Sequence, residues 1–433
     1  MRTHLVHPGA DQLTYEIRGI IEVAQAFAKL GVPIIWENIG DPIAKGEQVP
    51  QWVRDIIANE VRGSDVSFGY SPTRGMLFAR EYLVSERNVR GKTQITVDDI
   101  LFFNGLGDAI ATLYANLDPR ARIIGPTPAY PTHSSAEGAH ADAPHLTYTL
   151  DPKHGWLPDL EDLRNKIKYN PSIAGIIIIN PDNPTGTVYP RAVLEGMVAL
   201  AKEFGLFIIS DEIYGGLVYG DTLFTPLADV LDGVPGIAMR GLSKEVPWPG
   251  SRCGWIEVYN STTDPLFARY VRSLLDAKML QVCATTLPQV VLPKILGHES
   301  FGAQLKTRAD GYLRKAKVAE EAFATIPGVI APRPGGAFYY SVVFGDGVLT
   351  DTQSVELSDS SVGAELRRRV KDVAPDKRFA YSLLASTGIC VVPLSGFQSS
   401  LHGFRMTLLE SDEEKFSDIV SRIATFIRVY TSS

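Results

Sequence analysis

The chain runs to 433 residues with a formal charge of −7, 45% hydrophobic and 21% charged residues. That length supports a core needing no staples, and the negative balance excludes non-specific nucleic-acid binding as the main activity. Three cysteines, Cys253, Cys283 and Cys390, follow no zinc-site spacing, and with no signal-peptide pattern or membrane-length apolar run the expectation is a reducing, cytoplasmic setting.

Residues 11–30 carry Ile17, Ile20, Ile21, Ala24, Phe27 and Ala28 at helical spacing, which predicts an amphipathic helix stopped by Gly31-Val32-Pro33. Ile34-Ile35-Trp36 predicts a short strand, residues 50–62 a helix, and another helix follows Gly75. From about 96 to 260 strands and helices alternate. Ile100–Phe103, Arg122–Ile124, Gly175–Ile179 and Leu206–Ile209 are runs apolar throughout except for Arg122, the mark of strands buried on both faces. Residues 265–325 read as long helices. After Pro332, Gly335–Tyr340 leads a strand, the polar segment 345–361 is expected as a mobile surface loop, and Gly388–Val392, Phe404–Thr407 and a closing helix near 413–430 complete a smaller α/β unit. The fold class predicted is α/β: a large domain with a mostly parallel central sheet flanked by helices, plus a smaller α/β domain formed by both chain ends. The divisions expected are 1–48, 49–325 and 326–433, the first packing with the small domain and the active site.

The polar candidates fall just after the apolar strands, where open α/β sheets bind ligands. Lys244, in Gly241-Leu242-Ser243-Lys244, follows Ile237-Ala238-Met239, so a strand end delivers an amine. Asp211 follows four apolar residues, and a buried acid needs a partner. Tyr214 lies three residues on. Asn183 sits in Pro181-Asp182-Asn183-Pro184-Thr185-Gly186, a turn stiffened by two prolines. Tyr130 offers an aromatic face and His133 a second hydrogen-bond partner for Asp211. Gly105-Leu106-Gly107 opens a helix, where free N–H groups suit a phosphate. Ser243 and Arg252 add a hydroxyl and a charge-assisted bond. Arg405 presents the fork that suits a carboxylate. Together these supply the parts for holding an aldehyde-bearing pyridine phosphate: an amine, an acid for a ring nitrogen, an amide and a phenol for a phenolate oxygen, and a cation for the phosphate. Singly, each reads as easily as a solvated lysine, a capping acid or a structural turn.

In this order the motifs resemble the class I aminotransferases of the fold-type I pyridoxal-phosphate (PLP) family, over nearly the whole chain. The resemblance implies PLP as cofactor, Lys244 as the Schiff-base lysine, Asp211 as partner of the pyridine nitrogen, and Asn183 with Tyr214 on the phenolate oxygen. Catalysis falls to Lys244, Asp211 and Tyr214. Tyr130 takes the place of the stacking aromatic and His133 that of the histidine behind the aspartate. Leu106, Gly107, Ser243 and Arg252 match the phosphate cup. Tyr70 looks like the tyrosine that reaches the neighbouring subunit's phosphate, which implies an obligate homodimer. Arg405 matches the substrate-carboxylate arginine, with Asn183 and Gly40 beside it. Tyr15-Glu16-Ile17-Arg18-Gly19, Asn38-Ile39-Gly40-Asp41-Pro42 and Trp156-Leu157-Pro158 look like the bacterial alanine transaminase branch. There the N-terminal segment covers the substrate, so Tyr15 and Arg18 are candidate contacts. Gly107 stands where many relatives have serine, Gly241 where aspartate transaminases carry serine, and His133 where the alanine branch has another aromatic. The function implied is ping-pong transfer of an amino group between an L-amino acid, alanine favoured, and 2-oxoglutarate or pyruvate. Aspartate or aromatic transamination and C–S lysis stay open. No nucleic acid, membrane or metal is expected.

Overall fold

The computed structural model describes residues 5–13 and 16–432, without the side chains of 16–18. Its strands in chain order are β1 (Ile35–Trp36), β2 (Ile100–Phe103), β3 (Arg122–Thr127), β4 (Thr147–Asp151), β5 (Leu157–Pro158), β6 (Ile173–Ile179), β7 (Phe207–Asp211), β8 (Gly236–Gly241), β9 (Gly254–Tyr259), β10 (Val329–Ile330), β11 (Tyr339–Phe344), β12 (Ile389–Cys390), β13 (Val392–Pro393) and β14 (Gly403–Thr407). Among the described residues the large sheet runs β2-β9-β8-β7-β6-β3-β4-β5. The stretch from β8 to β4 pairs in parallel, while β9 and β5 run against their neighbours. The sheet is mixed, with its parallel block in the middle.

The apolar runs explain that block. Every residue of β2 and Ile176–Ile179 of β6 are buried, and helices cover both faces. Parallel strands buried on both sides have no use for a polar face. Register lines up their ends: Ile177 opposes Ile209, Ile179 opposes Asp211, and Asp211 opposes Met239. The loops that begin at Asn180, Glu212 and Leu242 therefore leave the sheet side by side.

A second, antiparallel sheet orders β10-β11-β14-β13, and β1 pairs in parallel with β12. That last pair joins the two ends of the chain. The helix Glu16–Lys29 buries Ile20, Val23, Ala24 and Phe27 against Leu366, Leu384 and Cys390, so the N-terminal helix packs on the C-terminal elements as expected.

Two segments differ from the sequence reading. The stretch read as one helix over 11–30 begins with a 3-10 turn, Pro8–Gln12, which packs on the helix Pro131–Ala141. Gly9 lies so close to Ala139 that a Cβ could not enter. The segment 345–361 runs over the surface but is anchored at points: Gln353 is buried, Val355 and Leu357 pack inward, and the Gln353 carbonyl accepts from Arg378 and Tyr430. Alternate inward residues anchor a stretch whose composition alone reads as solvent-exposed.

Candidate active site

The turn after β8 carries Lys244 on a short helical segment, Leu242–Glu245. Its Nζ donates to the Gly40 carbonyl at 2.7 Å and lies 5.5 Å from the centre of the Phe338 ring. Burial, with the cations Arg405 and Arg308, lowers the ammonium to about 8 against the opposing pull of Asp41 and Asp211. An amine so placed is neutral far more often near physiological pH than an ordinary lysine.

Asp211 closes β7 and is 3% exposed. One carboxylate oxygen faces His133 Nε2 at 3.2 Å and the other accepts from the Ile213 N–H at 3.1 Å. His133 is buried too, edge-on to Tyr114 and Tyr130. It stands one turn into the helix Pro131–Ala141, whose N-cap is Tyr130.

The loop after β6 holds Asn183, buried, with its side-chain oxygen 3.4 Å from Arg405 Nη1. Asp182 braces this turn by accepting from the Thr185 N–H at 3.0 Å. Desolvation pushes the Asp182 carboxyl up to about 7. Tyr214 stands on the far side, its hydroxyl 3.0 Å from that of Tyr339. Burial and the neighbouring phenol keep the Tyr214 hydroxyl protonated well above its usual range.

Arg405 rises from the middle of β14, 2% exposed. It donates to the Asn38 carbonyl, and its guanidinium lies 4.5 Å from the Tyr339 ring centre and 5.3 Å from that of Phe397. Two aromatic rings thus flank the guanidinium. Gly40 passes so close to the Tyr339 hydroxyl that any Cβ would collide with it.

The helix Leu106–Ala115 starts at Gly105, whose φ of +83° favours glycine. Arg252 lies across this start, bonding the Asn104 carbonyl at 3.3 Å and the Pro249 carbonyl at 3.2 Å. Open space lies where a Gly107 Cβ would point. Free N–H groups, a helix dipole and a guanidinium thus converge on one spot, the arrangement that attracts an anion. Ser243 precedes Lys244 on its turn.

Tyr70 stands apart, 87% exposed, with Phe68 at 70%. Tyr15 and the Arg18 side chain lie outside the described residues. Of the other sequence candidates, the structure gathers Asn183, Asp211, Tyr214, Lys244, Arg405 and Gly40 around one centre, with Tyr130 and His133 behind Asp211 and the Leu106–Arg252 region beside it. Sequence reasoning missed Tyr339, Arg308 and Glu47. Tyr339 follows the Gly335-Gly336-Ala337 turn, which marks a close backbone approach. Arg308 is one basic residue among many on the helix Phe301–Ala324, and no local pattern singles it out.

Comparison with known proteins bears on this arrangement. The family model described as aminotransferase class I and II matches residues 37–423. An uncharacterized aminotransferase of Methanocaldococcus jannaschii is 50% identical over 424 residues, 98% of each chain. The glutamate-pyruvate aminotransferase AlaA of Escherichia coli is 30% identical over 331 residues, 76% of this chain and 80% of that one. The solved alanine aminotransferase of Pyrococcus furiosus shares the fold with a TM-score of 0.82 at 24% identity, covering 97% of this chain and 99% of that one.

Proposed function

The chain belongs to the class I and II aminotransferases, and from that premise we propose that it passes an amino group between an L-amino acid, alanine favoured, and 2-oxoglutarate or pyruvate. The two half-reactions share one site, so the kinetics are ping-pong. Pyridoxal 5'-phosphate, when bound, supplies an aldehyde for the amine and a ring that withdraws electrons from the α-carbon.

The donor set suits that cofactor. The N–H groups of Leu106 and Gly107, with Ser243 and Arg252, would hold its phosphate. Asp211, backed by His133, would hold its ring nitrogen, Tyr130 its face, and Asn183 and Tyr214 its phenolate oxygen. Lys244 would hold its aldehyde carbon. Arg405 receives the substrate α-carboxylate beside Asn183 and the Gly40 backbone, and two aromatic rings flank it. Lys244 Nζ, as a free amine, would take the substrate's α-proton. Its lowered proton affinity suits a base that works near neutral pH. Tyr15 and Arg18 are proposed to meet the far end of the substrate.

What supports this reading most is a single coincidence: the ends of β6, β7 and β8 bring Asn183, Asp211 and Lys244 to the buried guanidinium of Arg405. The alanine preference rests on the names of AlaA and of the Mycobacterium bovis alanine aminotransferase, 29% identical over 389 residues. We assign the cytoplasm as its location and a homodimer as its assembly. Val66, Phe68, Tyr70, Leu77 and Phe78 are exposed apolar side chains near one another in sequence, and they support a homodimer in which this face meets the partner and Tyr70 would reach its cofactor phosphate. A panel of amino donors against 2-oxoglutarate and pyruvate tests the assignment. The expected outcome is keto acid formed in step with acceptor consumed, fastest with alanine and glutamate. Keto acid released without an acceptor would point to a lyase instead.

A further inference from the structure

Lys244 is held at two points, directly by the segment 37–47 and indirectly through a residue that segment binds. At the tip, Nζ donates to the Gly40 carbonyl. At the root, Arg308 Nη1 donates to the carbonyls of Lys244 and Glu245, each at 2.8 Å. Arg308 is held by Glu47, its Nε 3.0 Å and its Nη2 2.9 Å from Glu47 Oε2, and its Nη2 also reaches the Tyr312 hydroxyl at 3.0 Å. Tyr312 in turn donates to Glu47. Gly40 and Glu47 both belong to the strap 37–47. That strap is tied to β14, where the Thr407 N–H bonds the Glu37 carbonyl at 3.0 Å and Arg405 bonds the Asn38 carbonyl. A buried guanidinium with five directed donors fixes two carbonyls in a way no single lysine contact could.

We propose that Arg308 is a positioning residue for Lys244, and that Arg308 with Glu47 latches the lysine's turn to the strap that also carries the carbonyls of Asn38 and Gly40. The latch makes the position of the reacting amine depend on the same segment that meets Arg405. Seating of a carboxylate at Arg405 and placement of Lys244 are thereby linked through contiguous hydrogen bonds. This inference rests on Lys244 being the reacting amine.

The test uses the full chain loaded with pyridoxal phosphate and the variants Arg308→Gln, Glu47→Gln and their double. A surface groove of about 230 Å³, lined in part by Glu47, Gln304, Arg308 and Lys315, leads to the latch, so a shortened side chain there meets solvent rather than a sealed void. Each single variant is expected to lower kcat about tenfold, with the donor KM changing less than about twofold, because misplacement of a reacting group acts on the chemical step. Arg308→Gln removes a cation near Lys244 and is expected to move the pH midpoint of the bound cofactor's absorbance upward. The double variant is expected to lose no more than the worse single one, as members of one unit do. Wild-type kcat and midpoint in the single variants, or losses that multiply in the double, overturn the latch. Should Arg308→Gln not fold, Glu47→Gln alone decides on kcat and KM. If instead Lys244→Ala keeps both turnover and the cofactor's pH-dependent absorbance, the reading of Lys244 itself has failed, which is a different result.

Discussion

At the residue scale, the account turns on how burial retunes one amine. An ordinary lysine titrates near ~10.4, whereas Lys244 is brought to about 8, chiefly by desolvation. Lowering favours the neutral form, so the nucleophile accumulates as pH rises through that value. The rate at which the cofactor-free chain captures added pyridoxal phosphate is therefore expected to climb with a midpoint at about 8. Stopped-flow absorbance across pH 6–11 measures it (a span set by the ~10.4 reference), and a midpoint near that reference would mean the amine is solvated. Asp211, His133, Asn183 and Arg405 were legible as candidates because each stands beside an apolar run, a stiff turn or a strand, where a polar residue must have a partner. Arg308 and Glu47 were not. Their contact joins positions 261 apart in sequence, and neither end departs from ordinary surface composition. Tyr339 lay in a segment read as leading a strand, which in the structure runs Tyr339–Phe344, and the alternation of a strand does not say which aromatic faces a site.

At the element scale, the parallel block announced itself through isoleucine- and phenylalanine-rich runs, and one helix start through Gly105. Register was the missing information. That Ile179, Asp211 and Met239 sit abreast follows from strand order, which no local pattern carries. The anchored segment 345–359 escaped notice for the opposite reason. Its polar composition hid the alternation of Gln353, Val355 and Leu357. The helix start at Gly105 gives a prediction of its own. A Gly107 side chain would enter open space, so Gly107→Ser adds a hydroxyl beside the N–H groups without a clash. One hydrogen bond to a charged group is worth about 1.5–3 kcal/mol, and cofactor affinity is expected to rise by roughly tenfold or more. Equilibrium titration of the cofactor-free variant reads this directly. Unchanged or weaker binding would place the phosphate elsewhere.

On the scale of the whole molecule, the two chain ends close on each other through β1 and β12, and the strap that follows β1 reaches back to Lys244. The aromatic pair Phe68 and Tyr70 is exposed, which suits the proposed use of Tyr70 by a second copy. Mixing chains that carry Tyr70→Ala with chains that carry Lys244→Ala tests the shared site. In a hybrid dimer the site with an intact Lys244 receives an intact Tyr70 from its partner, so activity should recover to a sizeable fraction of the wild type. No recovery on mixing, with hybrids present by mass, would put Tyr70 in its own subunit's site or outside any site.

The most direct check is chemical mapping of the cofactor's attachment. The full chain, loaded with pyridoxal phosphate, is reduced with borohydride, digested and sequenced by mass spectrometry. The account predicts a stable pyridoxyl group on the ε-amine of Lys244 and on no other lysine at comparable yield. A label spread over surface lysines, or fixed on a single lysine other than Lys244, would contradict it.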